Sequence, residues 1–266
     1  METLVEVVKF YFYMAVILIP LEYSFGNKKI SFLRKEWVTD SLFFFGQSFI
    51  WNLVTVTILG YLFSHLDYGF VLTTRNFFGK LPIYFQIPIV IFLSDLFIYW
   101  GHRLQHKYDF LWRFHKVHHT AETVDYIAAF REHPLDNIYT RGIETFPAVF
   151  LGLDLNIIIG FITFRGLWAL FIHSNVELRL GFLEYIFGSP HLHHWHHELH
   201  KKGLCNYANL SPLMDLLFGT FYSPKQIPEE YGINGEFNRS YFSLLIEPII
   251  PNKIEIYLLN KFPFFR

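Results

Sequence analysis

The stretch IYFQIPIVIFLSDLFIYWGHRLQHKYDFLWRFHKVHH, running from Ile83 to His119, decides what kind of protein this is. Its first 19 residues, Ile83 to Gly101, carry one charge, Asp95, and form enough apolar chain to cross about 30 Å of hydrocarbon as a helix. The remainder is polar and holds His102, His106, His115, His118 and His119. An apolar helix of spanning length therefore runs straight into a histidine-rich segment. On a helix, residues three and four apart share a face. His102 and His106 thus point at one spot, and His115, His118 and His119 form one stripe.

Further spans flank this stretch. Ser41 to Phe63 gives 23 uncharged residues and is the clearest of them. Phe10 to Leu21 is uncharged over 12 residues and reaches spanning length only with Lys9 and Glu6 included. With Glu2 and Glu6 ahead of it and no small-residue cleavage site after Pro20, it reads as a retained helix rather than a signal peptide. Beyond the histidines, Phe146 to Ile172 is apolar but broken by Pro147, Asp154 and Arg165. It is long for one span and short for two, so a tight helical hairpin or re-entrant pair is expected. An even number of crossings there keeps the histidine-rich segments on its two sides in one compartment. Tyr241 to Phe265, interrupted by Pro248, Pro251 and Pro263, suits an interfacial cover.

Composition agrees. Of 266 residues, 52% are hydrophobic and only 17% charged, against about 25% charged in soluble domains. With 22 basic and 23 acidic residues there is no electrostatic footprint for nucleic acid. One cysteine, Cys205, excludes an internal disulfide and a cysteine-cluster metal site. The expectation is an all-α integral membrane protein of about four transmembrane helices or helical hairpins, with a cytoplasmic, histidine-rich helical cap holding a di-metal site. It forms one domain over residues 1–266, with a motif-bearing core at about 83–221 and a possible interfacial segment at 241–266. The loop Ser24 to Asp40 sets Lys28, Lys29, Arg34 and Lys35 against Glu36 and Asp40, whereas Ser64 to Pro82 holds Arg75 and Lys80 against Asp67. The more basic loop is expected in the cytoplasm, which delivers His102 to that side.

Thirteen of the 14 histidines lie between His102 and His200. A third box, His193-His194-Trp195-His196-His197, repeats the offsets of the second. At roughly 100° per residue, with His193 at zero, His196 falls near −60° and His197 near +40°, while His194 and His191 point away. His200 falls inside the stripe. His133 and His173 stand alone, and His65 reads as an ordinary interfacial polar group. A single H-x-x-x-H pair is weak evidence. Three boxes within 96 residues are not, because burying so many imidazoles without a shared ligand would cost on the order of several kcal/mol. All-nitrogen ligation suits iron, copper, nickel or zinc, and nine or ten candidate ligands are the count for two ions. Zinc-peptidase chemistry would want H-E-x-x-H, which is missing; His197-Glu198-Leu199-His200 has the wrong spacing.

Ser94 to His106, followed by Leu111 to His119, then Ser189 to His197 with Asn206-Tyr207 and Asp215-Leu-Leu-Phe-Gly-Thr220, resembles the fatty acid hydroxylase and sterol desaturase superfamily, in order and in spacing. The resemblance covers roughly half the chain. It implies a membrane-embedded di-iron oxygenase that hydroxylates or desaturates a lipid chain or sterol ring with molecular oxygen. By motif position His102, His106, His115, His118, His119, His193, His196 and His197 are the implied iron ligands, with His173 a ninth; His133, outside the motif, is added as a tenth candidate. Related hydroxylases carry an H-x-x-x-H pair where this chain has Ala169 and His173, so one nitrogen is expected from elsewhere. Ala208, Met214 and Leu217 depart from the family pattern outside the ligand set, which bears on subfamily and substrate. His200 lies outside the motif.

Breaking an unactivated C–H bond needs oxidising chemistry that side chains do not supply, and an apolar cradle suits a lipid substrate. Asp95, ionisable within a span, is a functional candidate by default. Two turns before His102, it is expected to orient a ligand histidine from another segment or to make a polar contact between helices. No Gly-rich dinucleotide fingerprint is present, so electrons are expected from a ferredoxin or a b-type cytochrome with its reductase. A histidine-rich transport or metal-binding protein and a membrane metallohydrolase are the competing readings. Transport sites lie near the midplane on broken helices, whereas these boxes begin where the spans end.

Overall fold

The computed structural model describes residues 2–26, 28, 31, 34–66, 69–200, 204–235 and 239–250. Among these every regular element is a helix, and extended pairing is limited to the isolated bridges Gly26–Val176 and Glu198–Tyr231. α1 spans Glu2–Phe25. α2 (Trp37–Gly46) continues through a π-helical stretch at Gln47–Trp51 into α3 (Asn52–Ser64), and α4 follows at Gly69–Phe78. α5 (Ile83–Lys107), α6 (Asp109–His119), α7 (Pro134–Leu151) and α8 (Leu155–His173) form the centre. α9 (Pro190–His196), α10 (Leu213–Leu217) and α11 (Tyr241–Ile246) are short. Most of the segment expected at 241–266 lies outside the described residues.

Among the described residues four helices are long and apolar enough to cross a membrane: Leu4–Phe25, Trp37–Ser64, Ile83–Lys107 and Leu155–His173. Their outer faces carry Phe12, Ile17, Leu53, Val56, Tyr84 and Leu167, all more than half exposed. Water would penalise a surface of that kind and lipid would not.

The expected hairpin is present, and its first arm starts earlier than hydropathy indicated. α7 begins at Pro134, whose fixed φ and missing N–H suit the first helical position. Asp136, Arg141 and Glu144 interrupt its apolar character before Phe146. α7 stops at Gly152, in the left-handed region at φ 76°, while the Leu153 amide donates to the Ala148 carbonyl at 3.0 Å. Asp154 then caps α8 by accepting from the Asn156 amide at 2.9 Å. A Cβ at Gly152 would approach the Arg75 side chain to 2.8 Å, so both conformation and space demand glycine there.

α7 packs along α5, where Gly101 lets the helices close; a Cβ at that position would run into Ile143. At the far end of the bundle Phe78, Val90, Ala148, Leu151, Leu153 and Ile158 form one apolar cluster. A second, of Met14, Phe44, Tyr126, Ile127 and Leu170, ties α1 and α2 to α8. Near it a buried ion network fixes the segment after α6. Arg131 donates Nε to Asp40 Oδ1 at 2.5 Å, and Arg34 bridges Asp40 at 2.6 Å and Asp125 at 2.7 Å.

Candidate metal centre

α5 does not end at the edge of its apolar part. It continues to Lys107 and carries His102 and His106 on its last two turns. Tyr108, extended at φ −106° and ψ 122°, then turns the chain into α6. α9 starts at Ser189, whose hydroxyl accepts from the Leu192 amide at 3.3 Å, with Pro190 in the first turn. α8 delivers His173 from its final residue.

These elements bring nine imidazoles together in two groups. His102, His106, His115, His119 and His196 form one, and His118, His173, His193 and His197 the other, with ligand atoms within 4.8 Å of one another in each. Each H-x-x-H-H box is divided. His115 and His119 join the first group and His118 the second, whereas His196 joins the first and His193 and His197 the second. Offsets of three and four lie about 100° apart around a helix, so one stripe can face two ions. The groups adjoin: His119 and His197 stack with ring centroids 4.5 Å apart.

The outer nitrogens define what the inner ones can do. His102 Nδ1 lies 2.8 Å from the Tyr207 carbonyl, His118 Nδ1 3.2 Å from that of Arg131, His173 Nδ1 2.7 Å from that of Ala169 and His196 Nδ1 2.8 Å from that of Cys205. His115 Nδ1 lies 2.9 Å from Asp136 Oδ2. A carbonyl or carboxylate only accepts, so in each ring Nδ1 carries the hydrogen and neutral Nε2 is a bare lone pair. Yet His102 Nε2 sits 3.0 Å from His115 Nε2, and His118 Nε2 sits 3.0 Å from His173 Nε2. Lone pairs so close repel unless a cation lies between them. Nor are the rings imidazolium. Burial, then the neighbouring imidazoles, pushes His118, His119, His193 and His197 well below the usual histidine range, and burial pushes His115 down to about 4. Burial, with His102 beside it, also pushes His196 far down. The buried Nε2 atoms of His106, His119 and His196 and Nδ1 of His197 have no hydrogen-bond partner among the described residues. Converging neutral nitrogens with their outer N–H groups anchored are a metal-ligand arrangement, and this donor set fits first-row transition ions.

Other expected residues are placed elsewhere. His133 is outside both groups: it caps α7, Nδ1 accepting from the Leu135 amide at 3.1 Å, while Nε2 donates to the Leu245 carbonyl at 3.1 Å. Asp95 reaches no histidine. Its Oδ1 pairs with Arg165 Nη1 at 2.7 Å, and Arg165 Nε continues to Glu144 Oε1 at 3.1 Å. His191 turns to the Pro224 carbonyl at 2.9 Å and His194 to the Tyr231 hydroxyl at 3.1 Å, both away from the cluster. His200, which the helical wheel puts on the stripe, is exposed and 4.0 Å from Glu230, because α9 ends at His196 and the wheel no longer applies. Asp136 and Gln105 escape sequence reading. Gln105 Nε2 donates to Asp136 Oδ1 at 2.6 Å while His115 occupies Oδ2. A carboxylate two residues past the helix-starting Pro134 was the available signal.

Comparison with known proteins agrees with this geometry. The model of the family "Fatty acid hydroxylase" matches residues 87–220. The chain is 31% identical to ornithine lipid hydroxylase OlsE of Rhizobium tropici over 63% of its length and 51% of the relative's. It is 31% identical to alkylglycerol monooxygenase of Homo sapiens over 54% of its length and 32% of the relative's. Against a Delta(7)-sterol 5(6)-desaturase of Leptosphaeria maculans the identity is 31% over 57% of the chain and 41% of the relative. The chain thus spans about half or less of the length of these relatives. No solved structure matches it.

Proposed function

This chain belongs to the fatty acid hydroxylase family, and from that premise we propose that it is a membrane-bound di-iron oxygenase that hydroxylates or desaturates a lipid. The observation that carries the reading is the pairing of bare Nε2 atoms, His102 against His115 and His118 against His173, at 3.0 Å. His102, His106, His115, His119 and His196 hold one iron, and His118, His173, His193 and His197 the other. When bound, the irons supply the reduction of molecular oxygen that oxidises a C–H bond, with two electrons and two protons consumed and water released. The protein's part is to bury the nine imidazoles, which keeps them neutral, and to orient five of them through the Tyr207, Arg131, Ala169 and Cys205 carbonyls and the Asp136 carboxylate.

The relatives named above are a lipid hydroxylase, an alkylglycerol monooxygenase and a sterol desaturase. A lipid drawn from the bilayer, reaching the ions from among the helices, is the substrate class they have in common. Electrons come from a separate carrier, a ferredoxin or a b-type cytochrome with its reductase, and the basic loop 24–40 supports a cytoplasmic side for the histidine boxes. The test is to incubate membranes containing the protein with 18O2 and profile their lipids, while measuring iron in detergent-purified material. Labelled lipid and about two irons per chain, the number the ligand count supports, are expected. Stoichiometric zinc in active protein, or product formed equally without oxygen, would replace the oxygenase by a metallohydrolase.

A further inference from the structure

Between α5, α7, α8 and the loop 207–209 lies a cavity of about 120 Å³ whose lining includes His102, His115, His118, His173 and His193. Beside apolar Ile98, Ala129, Ile143 and Ala169, the wall carries charged groups that a hydrocarbon chain does not require. Arg141, Glu144 and Arg165 line it and form a chain of ion pairs: Arg141 Nη1 to Glu144 Oε2 at 2.5 Å, Glu144 Oε1 to Arg165 Nε at 3.1 Å, and Arg165 Nη1 to Asp95 Oδ1 at 2.7 Å. Arg165 and Asp95 stand on helices of membrane-spanning length and are almost wholly buried. Charges in that position are costly, and an aliphatic chain has no use for them.

The chain of pairs leaves something over. Arg165 Nη2, on a side chain 1% exposed, has no hydrogen-bond partner among the described residues, and neither has buried Asn209 Oδ1 on the same lining. Native interiors rarely leave such atoms unpaired. One is a cationic donor and the other an acceptor. Size adds a constraint, because sites that enclose a whole small molecule run to ~300–1,000 Å³. The cavity's volume of about 120 Å³ holds a few heavy atoms and not a sterol ring system.

We propose that this cavity receives the headgroup of the lipid, with an anionic oxygen on Arg165 and a neighbouring N–H or O–H on Asn209, so that the carbon nearest the histidine cluster belongs to the headgroup or adjoins it. This rests on the cluster being the reaction centre, and its test is binding to metal-free protein. Nanodisc-embedded protein is titrated with N-dodecanoylglycine, dodecyl phosphate, dodecanol and ergosterol. At least one anionic probe is expected to bind about tenfold more tightly than dodecanol, as one added charged hydrogen bond provides, and the better of the two tells carboxylate from phosphate. Arg165→Lys, which keeps a cation beside Asp95 but loses Nη2 together with the Nε pairing to Glu144, and Asn209→Leu, which touches no ion pair, should each remove most of that advantage and leave dodecanol binding unchanged. Anionic probes binding no better than dodecanol, sterol binding best, or an advantage untouched by Asn209→Leu would overturn the assignment. If Arg165→Lys does not fold, Asn209→Leu decides alone. Intact preference in an iron-loaded protein that oxygenates nothing would sink the oxygenase reading and leave this one standing.

Discussion

Asp136→Asn tests how the first group of imidazoles is held. Asp136 is 3% exposed and uses both oxygens, Oδ2 for His115 Nδ1 at 2.9 Å and Oδ1 for Gln105 Nε2 at 2.6 Å. Both partners donate. An asparagine can accept from only one of them, and its NH2 must face the other. Turned toward Gln105, the NH2 meets a second donor unless the Gln105 amide rotates to offer its carbonyl, which gives up the 3.5 Å contact from Gln105 Nε2 to the Thr140 hydroxyl; in both cases the negative charge behind His115 is gone. Turned toward His115, it forces the ring hydrogen onto Nε2 and takes the lone pair away from the metal. Either arrangement weakens the site, and loss of an outer partner of this kind costs about 10–100-fold in metal affinity, or ~1.4–2.7 kcal/mol. Adding Gln105→Glu to the same protein should restore most of that affinity, because the new carboxylate accepts from the asparagine NH2 and leaves the asparagine carbonyl for His115. The assay is titration of metal-free protein in nanodiscs with ferrous iron under anaerobic conditions. Wild-type affinity in the single variant, or a double variant no better than the single one, would refute the lone-pair argument.

Three further outcomes are expected. His193→Ala, His196→Ala and His197→Ala each lose iron and activity, whereas His191→Ala, His194→Ala and His200→Ala retain most of both, measured as bound iron and product in one membrane preparation. Arg131→Met breaks a fully buried pair with Asp40 and lowers stability by about 3 kcal/mol, the lower end for such pairs because Arg34 stays beside Asp40; thermal unfolding in detergent measures it, and iron content reports the shifted carbonyl under His118. Acidification destabilises the metal-free protein, since the buried histidines are neutral when folded and protonated when unfolded, so the unfolded state binds more protons. The stability is present above the ordinary histidine value of 6.5 and is lost as pH falls from there toward about 4, the value of His115; midpoints rising on acidification would contradict the neutral cluster.

The apolar runs and the box spacings are local properties, and they were legible as such. Ser41 to Phe63 is helical within Trp37–Ser64, and the hairpin expected from Phe146 onward is formed by α7 and α8. Periodicity also separated His193, His196 and His197 from His191 and His194, because a helix turns by a constant angle per residue. It failed at His200, where α9 had already stopped. Helix ends depend on what the chain packs against next, here the bridge between Glu198 and Tyr231.

Partners distant in sequence were decided by the tertiary structure alone. Spacing cannot divide a box between two ions, since that depends on where α5, α8 and α9 sit around α6. Nor can it show that His133 spends its ring on the backbone of Leu135 and Leu245, or that Asp95 meets Arg165, 70 residues away, instead of a histidine. Side-chain type and helical period determine which rings share a face and which segments prefer lipid. Which hydrogen-bond acceptor waits behind each ring, and so which nitrogen is left for a metal, is determined only when the helices close upon one another and exclude water.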